Sequence, residues 1–334
     1  LYEININLIK ARKQMRNFKI ILLTISIFIF SLNLYATDIK LAVLKYGTVN
    51  WELNVIKEHK LDEKYNINID VTYLTNKNAS AIALMSNAVD MIVTDWVWVS
   101  RQRDKGKDFS LIPYSTAAGA IMVPQNSPVN NIEDLKNAQI GIAGGSIDKS
   151  WILIRAYTMK NFGYDLAEHI KPAYAAPPLI NGMAQKGELD GAFNYWNYTA
   201  RLKALNFKKI ISVEEILPEI GIGKSLPLIG YVFSEKWAQN NEKAIKGFIA
   251  ASNEAREILK NNDKEWDRIQ NITGAKNTET LIALRDGFRK GIPQENFLSY
   301  KNAIEKAFKI LAEIGGKDLV GNNNQLSDGV IWSK

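Results

Sequence analysis

The residues Gly144-Gly145-Ser146-Ile147-Asp148-Lys149 have the types and spacing of a ligand cradle. Two glycines let a small molecule approach the backbone closely, and the first N–H groups of a following helix have no partner within that helix, so they attract acceptors and anions. Lys149 adds a cation and Asp148 a carboxylate, and Asp148 either favours its own helix N-terminus or contacts a ligand. Further candidates are Tyr46, Asn50 and Trp51, then Asp95 and Trp96, then Ser115, and finally Asn194, Tyr195 and Trp196. Aromatic walls with a few convergent hydroxyl, amide and carboxylate groups describe a small-molecule binding site. The only histidines, His59 and His169, lie far apart on polar stretches and there is no cysteine. Neither a nucleophile–base triad, a thiolate nor a histidine metal site can be assembled, so no catalytic residue, cofactor or metal is expected.

These candidates fall where predicted strands end. Ile140, Ile142 and Ala143 form an apolar run that stops at Gly144-Gly145, Ser146 is placed to cap a helix bearing Trp151, Ile154, Arg155, Thr158 and Phe162, and Gly163 ends it. Strands are predicted at Ile39–Leu44, Ile67–Leu74 and Met91–Val93, separated by helices at Trp51–Lys60 and Asn78–Asn87 and followed by one at Trp96–Lys105. That rhythm belongs to a doubly wound α/β lobe. Strands at Phe109–Pro113 and Ala117–Val123 follow, and the turn-rich Gln125-Asn126-Ser127-Pro128 reads as a domain crossing. A second α/β rhythm runs to Val213, and Leu226–Phe233 reads as a strand returning to the first lobe. The remainder is helical, at Glu235–Asn261, Asp263–Asn271, Thr278–Arg289 and Tyr300–Ile314. The expected domains are 38–124 with 226–334 as lobe 1, and 125–225 as lobe 2. In open α/β sheets the binding crevice lies beyond the carboxyl ends of the strands, where Trp51, Trp96, Trp98, Trp151 and Trp196 all sit. Trp98 and Trp151, a few residues into their helices, read as core; Trp96 and Trp196 open their helices and read as walls.

The 334 residues are 46% hydrophobic, enough for one large or two medium cores. Met15-Arg16-Asn17-Phe18-Lys19, the apolar Ile20–Phe30 and the small Ala36 have the layout of a signal peptide, with residues 1–14 read as an extension foreign to the fold. The formal charge of +7 is concentrated there: residues 1–37 hold Lys10, Arg12, Lys13, Arg16 and Lys19 against Glu3, leaving the rest near +3 without a block of like charge. A nucleic-acid partner is not expected.

Three stretches resemble the solute-binding proteins of ABC importers, of the nitrate, sulfonate and taurine class that also contains thiamine-pyrimidine binders. They are Asn131–Lys136 with Gln139–Ser146, similar to that family's DLKGK and IAV-x-x-GS segment; Ala184–Ala192 through Tyr195-Trp196; and Tyr231–Phe233 through Trp237 and Asn240–Phe248. The resemblance spans Asp38 to Lys334. It implies an α/β, two-lobed periplasmic-binding-protein clamshell of type II, with the second lobe inserted in the first and a helical C-terminal part. It further implies a monomer in the periplasm that closes by hinge motion on a small ligand and delivers it to a membrane permease. Free N–H groups at Gly145-Ser146 with Lys149 and Lys45 favour an anion, whereas Asp95 and Asp148 favour donors or positive charge. The expectation is a sulfonate-like ligand first and an aminopyrimidine-like one second. Enzymes on this fold are the rival class, but the fungal pyrimidine synthase needs cysteines and menaquinone-pathway enzymes are cytoplasmic. A transcription regulator would need a helix-turn-helix, for which nothing before Asp38 reads.

Overall fold

The computed structural model describes residues 36–294 and 297–333; the expected leader and the extension before it lie outside the described residues, apart from its last two positions. The chain opens with β1 (Thr37–Leu44), α1 (Val49–Glu58), the single turn α2 (Leu61–Lys64), β2 (Ile67–Leu74), α3 (Lys77–Met85), β3 (Met91–Asp95), α4 (Trp96–Arg103) and β4 (Phe109–Ser115). It then builds β5 (Ala120–Pro124), β6 (Gln139–Ala143), α5 (Lys149–Phe162), α6 (Leu166–His169), β7 (Lys171–Ala175), α7 (Pro177–Gln185), β8 (Gly191–Asn194), α8 (Trp196–Ala204), β9 (Phe207–Ser212) and α9 (Val213–Ile216). β10 (Ile229–Ser234) returns, followed by α10 (Glu235–Asn240), α11 (Glu242–Asn261), α12 (Asp263–Thr273), α13 (Thr278–Lys290) and α14 (Lys301–Val320).

Two five-stranded sheets result, in the orders β2-β1-β3-β10-β4 and β7-β6-β8-β5-β9. They are topological counterparts. In each, the fourth strand is antiparallel to its neighbours, β10 to β3 and β4 in one and β5 to β8 and β9 in the other. The second sheet is inserted in the first, so the reversed strand of each is the one the chain enters after crossing. The first crossing is Thr116–Gly119, earlier than the expected break at 125–128, because β5 belongs to the second sheet: Ala120 lies opposite both Asn194 and Ser212. Gly119 marks it, since a Cβ there would stand 2.3 Å from the Asn194 carbonyl oxygen. The Gln125–Pro128 turn only reverses the chain after β5.

Both crossings are clasped. Thr116 N–H and the Ser115 hydroxyl donate to the Gly291 carbonyl at the end of α13, and the Trp96 indole N–H donates to the Pro227 carbonyl at 2.7 Å on the return. The helical part follows the expected apolar spacing, except that the single helix expected over Glu235–Asn261 breaks at Asn241, whose backbone (φ −127, ψ 44) leaves the helical region. α14 kinks at Gly316 (φ 61, ψ −162), a conformation open to glycine, and the adjacent Gly315 leaves room for Ile152 of α5. Among the described residues no helix is long and apolar enough to cross a membrane.

Beneath the ends of β1 and β4, the first lobe buries a charge. Glu52 of α1 accepts from the Arg256 Nε at 2.8 Å, the Ser252 hydroxyl at 2.6 Å and the Tyr231 hydroxyl at 2.8 Å, tying α1 to α11 and β10. Arg256→Met should leave Glu52 buried without its counter-charge and cost roughly 3–5 kcal/mol in urea unfolding, whereas Lys260→Ala, which removes an exposed pair with Glu257, should stay within about 0.5 kcal/mol.

Candidate functional site

The carboxyl end of β3 in the first sheet meets those of β6 and β8 in the second at one seam, and the seam is built around two helix caps. Asp95 ends β3 in extended backbone (φ −104, ψ 158), and its Oδ1 accepts the Trp98 N–H at 2.9 Å, starting α4. Asp148 does the same for α5: its Oδ1 accepts the Ser150 and Trp151 N–H groups at 3.0 and 3.1 Å. The cap expected at Ser146 therefore belongs to Asp148. Gly144 and Gly145 both take left-handed backbone (φ 84 and 88), which consumes extra residues before the helix starts at Lys149, and a carboxylate complements the helix dipole better than a hydroxyl. Capping engages the Ser150 and Trp151 N–H groups, so these two are not open to an anion.

Of the remaining oxygens of the two caps, that of Asp95 joins the lobes and that of Asp148 ties two elements of the second lobe. Asp95 Oδ2 lies 3.1 Å from the Lys149 ammonium, a pair whose side chains are 8% and 19% exposed. Asp148 Oδ2 accepts the Tyr195 hydroxyl at 3.2 Å. Burial pushes the Asp95 carboxyl up, but the charges of Lys149 and Lys77 and the Trp98 N–H outweigh it and hold it below the usual carboxylate range. For Asp148 burial dominates over Lys149 and the Trp151 N–H, so it titrates above that range. Burial lowers the Lys149 ammonium, yet Asp95 and Asp148 together raise it. Tyr195 is pushed well up by burial and by Asp148, and so stays a protonated donor.

Gly144 serves this group directly: a Cβ there would stand 2.5 Å from the Tyr195 hydroxyl and 2.6 Å from Asp148 Oδ2, whereas a Cβ on Gly145 would meet nothing within 4 Å. Asn194 is buried; it donates to the Pro177 carbonyl and to Asn181 Oδ1, and accepts the Tyr195 N–H at 2.8 Å, so it aims Tyr195 from below. Beside the group runs an aromatic joint. Trp196, half-buried on α8, meets the buried Trp51 edge-on at 5.9 Å, and Trp51 meets Trp266 at 5.8 Å and Phe288 at 6.0 Å. Gly287 of α13 lets Trp196 in, since a Cβ there would come within 2.9 Å of its ring.

The sequence-derived candidates thus separate by position. Asp95, Gly144, Asp148, Lys149 and Tyr195 are brought together, with Trp51 and Trp196 alongside. Gly145 and Ser146 lie at the turn's rim, and Tyr46 is 85% exposed, with Lys45 stacked 5.5 Å over its ring. Asn50 closes the β1–α1 turn by donating to the Leu44 and Lys45 carbonyls, leaving its Oδ1 shielded and without a partner. Ser115 and Trp96 clasp the crossings; Trp96, expected as a wall, is wholly buried against Phe308. Trp151 is buried on Phe193, as read for the core. Lys77 was missed although it opens the helix after β2, where the strand-end rule applied to the second strand would have found it.

A profile of the family described as NMT1/THI5 like matches residues 63–265, well over half of the chain. Among solved structures, the chain is similar to the periplasmic aliphatic sulphonate binding protein SsuA from Escherichia coli (16% identity, covering 89% of this chain and 92% of that one, TM-score 0.70). It is also similar to the alkanesulfonate-binding protein SsuA from Xanthomonas axonopodis pv. citri bound to MOPS (15% identity, 89% and 98%, TM-score 0.67). An ABC transporter structure from Parabacteroides distasonis follows (13% identity, 89% and 99%, TM-score 0.69). Among curated proteins none matches. These likenesses show the two-lobed periplasmic-binding-protein fold.

Three outcomes follow from this geometry. Gly144→Ala should separate Asp148 from Tyr195 on top of its left-handed strain and melt well below Gly145→Ala, which bears only the backbone cost of about 1–2 kcal/mol. Asp95, held low, contributes stability that is complete above the unfolded carboxylate value of about 3.9 and is lost as pH falls through its lower folded value. Asp95→Asn should therefore lower the melting temperature at pH 7 and flatten its fall below pH 4. Asp148, held high, has the opposite sign, and Asp148→Asn, which keeps a capping side chain, should weaken the chain little at pH 7.

Proposed function

Since this chain belongs to the NMT1/THI5-like family, we propose that it is an exported substrate-binding protein, acting as a monomer in the periplasm, that captures a small organic ligand between its two lobes and delivers it to the permease of an ABC importer. The observation that carries the reading is the ion pair between Asp95 and Lys149, which brings together the strand ends of two sheets at one buried polar seam beside Trp51 and Trp196. Ligand chemistry at such a seam depends on both lobes at once, so binding and lobe closure become one equilibrium. The sulphonate and alkanesulfonate binding of two structurally similar proteins supports a sulfonate-like ligand as the first class to test. An amino-heterocycle such as a thiamine-precursor pyrimidine is the second, favoured by the two carboxylates at the seam.

The chemistry asked of the chain is capture without conversion. Asp148 and Asp95 are committed as helix caps and Tyr195 as a donor held protonated, which suits recognition better than proton transfer. Thermal shift and tryptophan fluorescence against a panel of alkanesulfonates, aminosulfonates and aminopyrimidines should yield one ligand bound per chain. Its stabilisation should grow with concentration, reaching about 2.7 kcal/mol at a hundredfold excess over Kd, and the ligand should be recovered unchanged after long incubation. Chemical conversion of the ligand, or binding that leaves Trp51 and Trp196 variants unaffected, would overturn the reading.

A further inference from the structure

α4 is eight residues long, below the about 12–15 at which an isolated helix becomes even marginal in water, so its place is set by what it packs against. It starts directly after Asp95, the carboxylate that pairs with Lys149 of the second lobe, and its other end is held by the segment that follows α14. There the Ser327 N–H donates to the buried Ser100 hydroxyl at 3.0 Å. The Ser327 hydroxyl donates to Asp104 Oδ1 at 2.5 Å, and the Asn323 side-chain amide donates to the same oxygen at 3.2 Å. Arg101 Nη1 donates to the Leu319 carbonyl at 3.2 Å, in the last turn of α14. Asp104 is otherwise out of place, because the helix dipole disfavours a carboxylate at the C-terminal end of α4, yet it is where the segment is anchored.

The anchored segment is itself seated on the first sheet. Leu111 of β4, the outermost strand, donates its N–H to the Val330 carbonyl at 2.8 Å and accepts the Trp332 N–H at 3.0 Å, in parallel register with Ile331. Val330, Ile331 and Trp332 are buried, and the Trp332 ring meets Phe233 edge-on at 5.3 Å. Gly329 takes left-handed backbone (φ 77) where a Cβ would stand 2.2 Å from Arg103 Nη2, and its carbonyl accepts the Ser110 hydroxyl at 2.6 Å. Arg101 carries this arrangement to the seam. Its charge acts on the Lys149 ammonium, opposing the attraction of Asp95, and the carbonyl end of α14 holds that guanidinium in place. A shift of the segment therefore moves both the helix that Asp95 caps and the cation that Lys149 meets.

We propose that residues 319–332 form a strap that positions the seam from the outer edge of the first sheet: by fixing α4 at Ser100, Arg101 and Asp104 it holds Asp95 opposite Lys149, and loosening it uncouples the lobes without unfolding the second. Ser327 and Asp104 are positioning residues in this scheme, acting on the interlobe ion pair through α4. The inference is independent of what the seam captures, since it concerns how firmly one lobe is referred to the other.

The test uses the full chain carrying Ser327→Ala and Asp104→Ala, singly and together. Removing a carboxylate from a helix C-terminus should by itself stabilise α4, so lost protection of α4 in Asp104→Ala has the sign that anchoring predicts and the dipole does not. Hydrogen exchange at the Trp98 N–H, which Asp95 accepts, should be roughly tenfold faster or more in the double variant, while β6 and β8 keep their protection and so report that the second lobe is folded. The non-additivity of Asp95→Asn and Lys149→Gln in thermal melts should fall by about half or more in the same background. Unchanged coupling between Asp95 and Lys149 overturns the proposal whatever the melting temperature does, because the segment is then plain packing. Faster exchange spread evenly over both lobes, or unchanged exchange at Trp98, overturns it as well.

Discussion

An ammonium and a carboxylate removed from water cannot remain apart, and that constraint joins the two sheets of this protein. Asp95 stands at the end of β3 and Lys149 at the start of α5, in different lobes, and each would be a costly buried charge without the other. The same aspartate caps α4, and the residue before the lysine caps α5. A shift of one lobe against the other therefore disturbs helix starts as well as an ion pair. The seam is where the lobes are held, and under the proposed function it is also where a ligand is read, which would give a ligand leverage over lobe position.

The aromatic joint works in parallel on packing terms. Trp196 enters the first lobe's cluster of Trp51, Trp266 and Phe288, with edge-to-face pairs worth about 0.5–1.5 kcal/mol each beyond their burial. Gly287 makes that entry possible, and Arg201, one turn further along α8, donates to the carbonyls of Thr273 and Gly274 at the end of α12. Lobe contact is thus distributed over charge, aromatic edges and helix-end carbonyls. The two crossings, clasped by Ser115 and Trp96, the Lys290–Glu214 ion pair and the seating of Ile152 against Gly315 of α14 are further links.

Much of the fold was legible in the sequence because local spacing dictates it. β2 runs over Ile67–Leu74 as its apolar pattern predicts, α5 ends at Gly163 in left-handed backbone, and most other elements fall within a few residues of expectation. The crossing was misplaced because Gln125-Asn126-Ser127-Pro128 carries a strong turn signal, while the true crossing depends on Gly119 meeting Asn194, a contact 75 residues distant in the chain. The break at Asn241 was likewise hidden in continuous helical periodicity.

The sequence by itself determined which residues stand at the strand ends: Asp95, Asp148, Lys149, Tyr195 and the tryptophans there follow from strand-then-helix rhythm alone. Which of them face one another, and what each does, only the tertiary structure decided. Ser146 and Asp148 are both good caps by type, and the left-handed turn at Gly144-Gly145 selected the second. Trp96 and Trp196 open their helices in the same way, yet one is buried against α14 and the other bridges the lobes, because a helix start tells where a side chain leaves the backbone and not which neighbours the opposing sheet will bring to it.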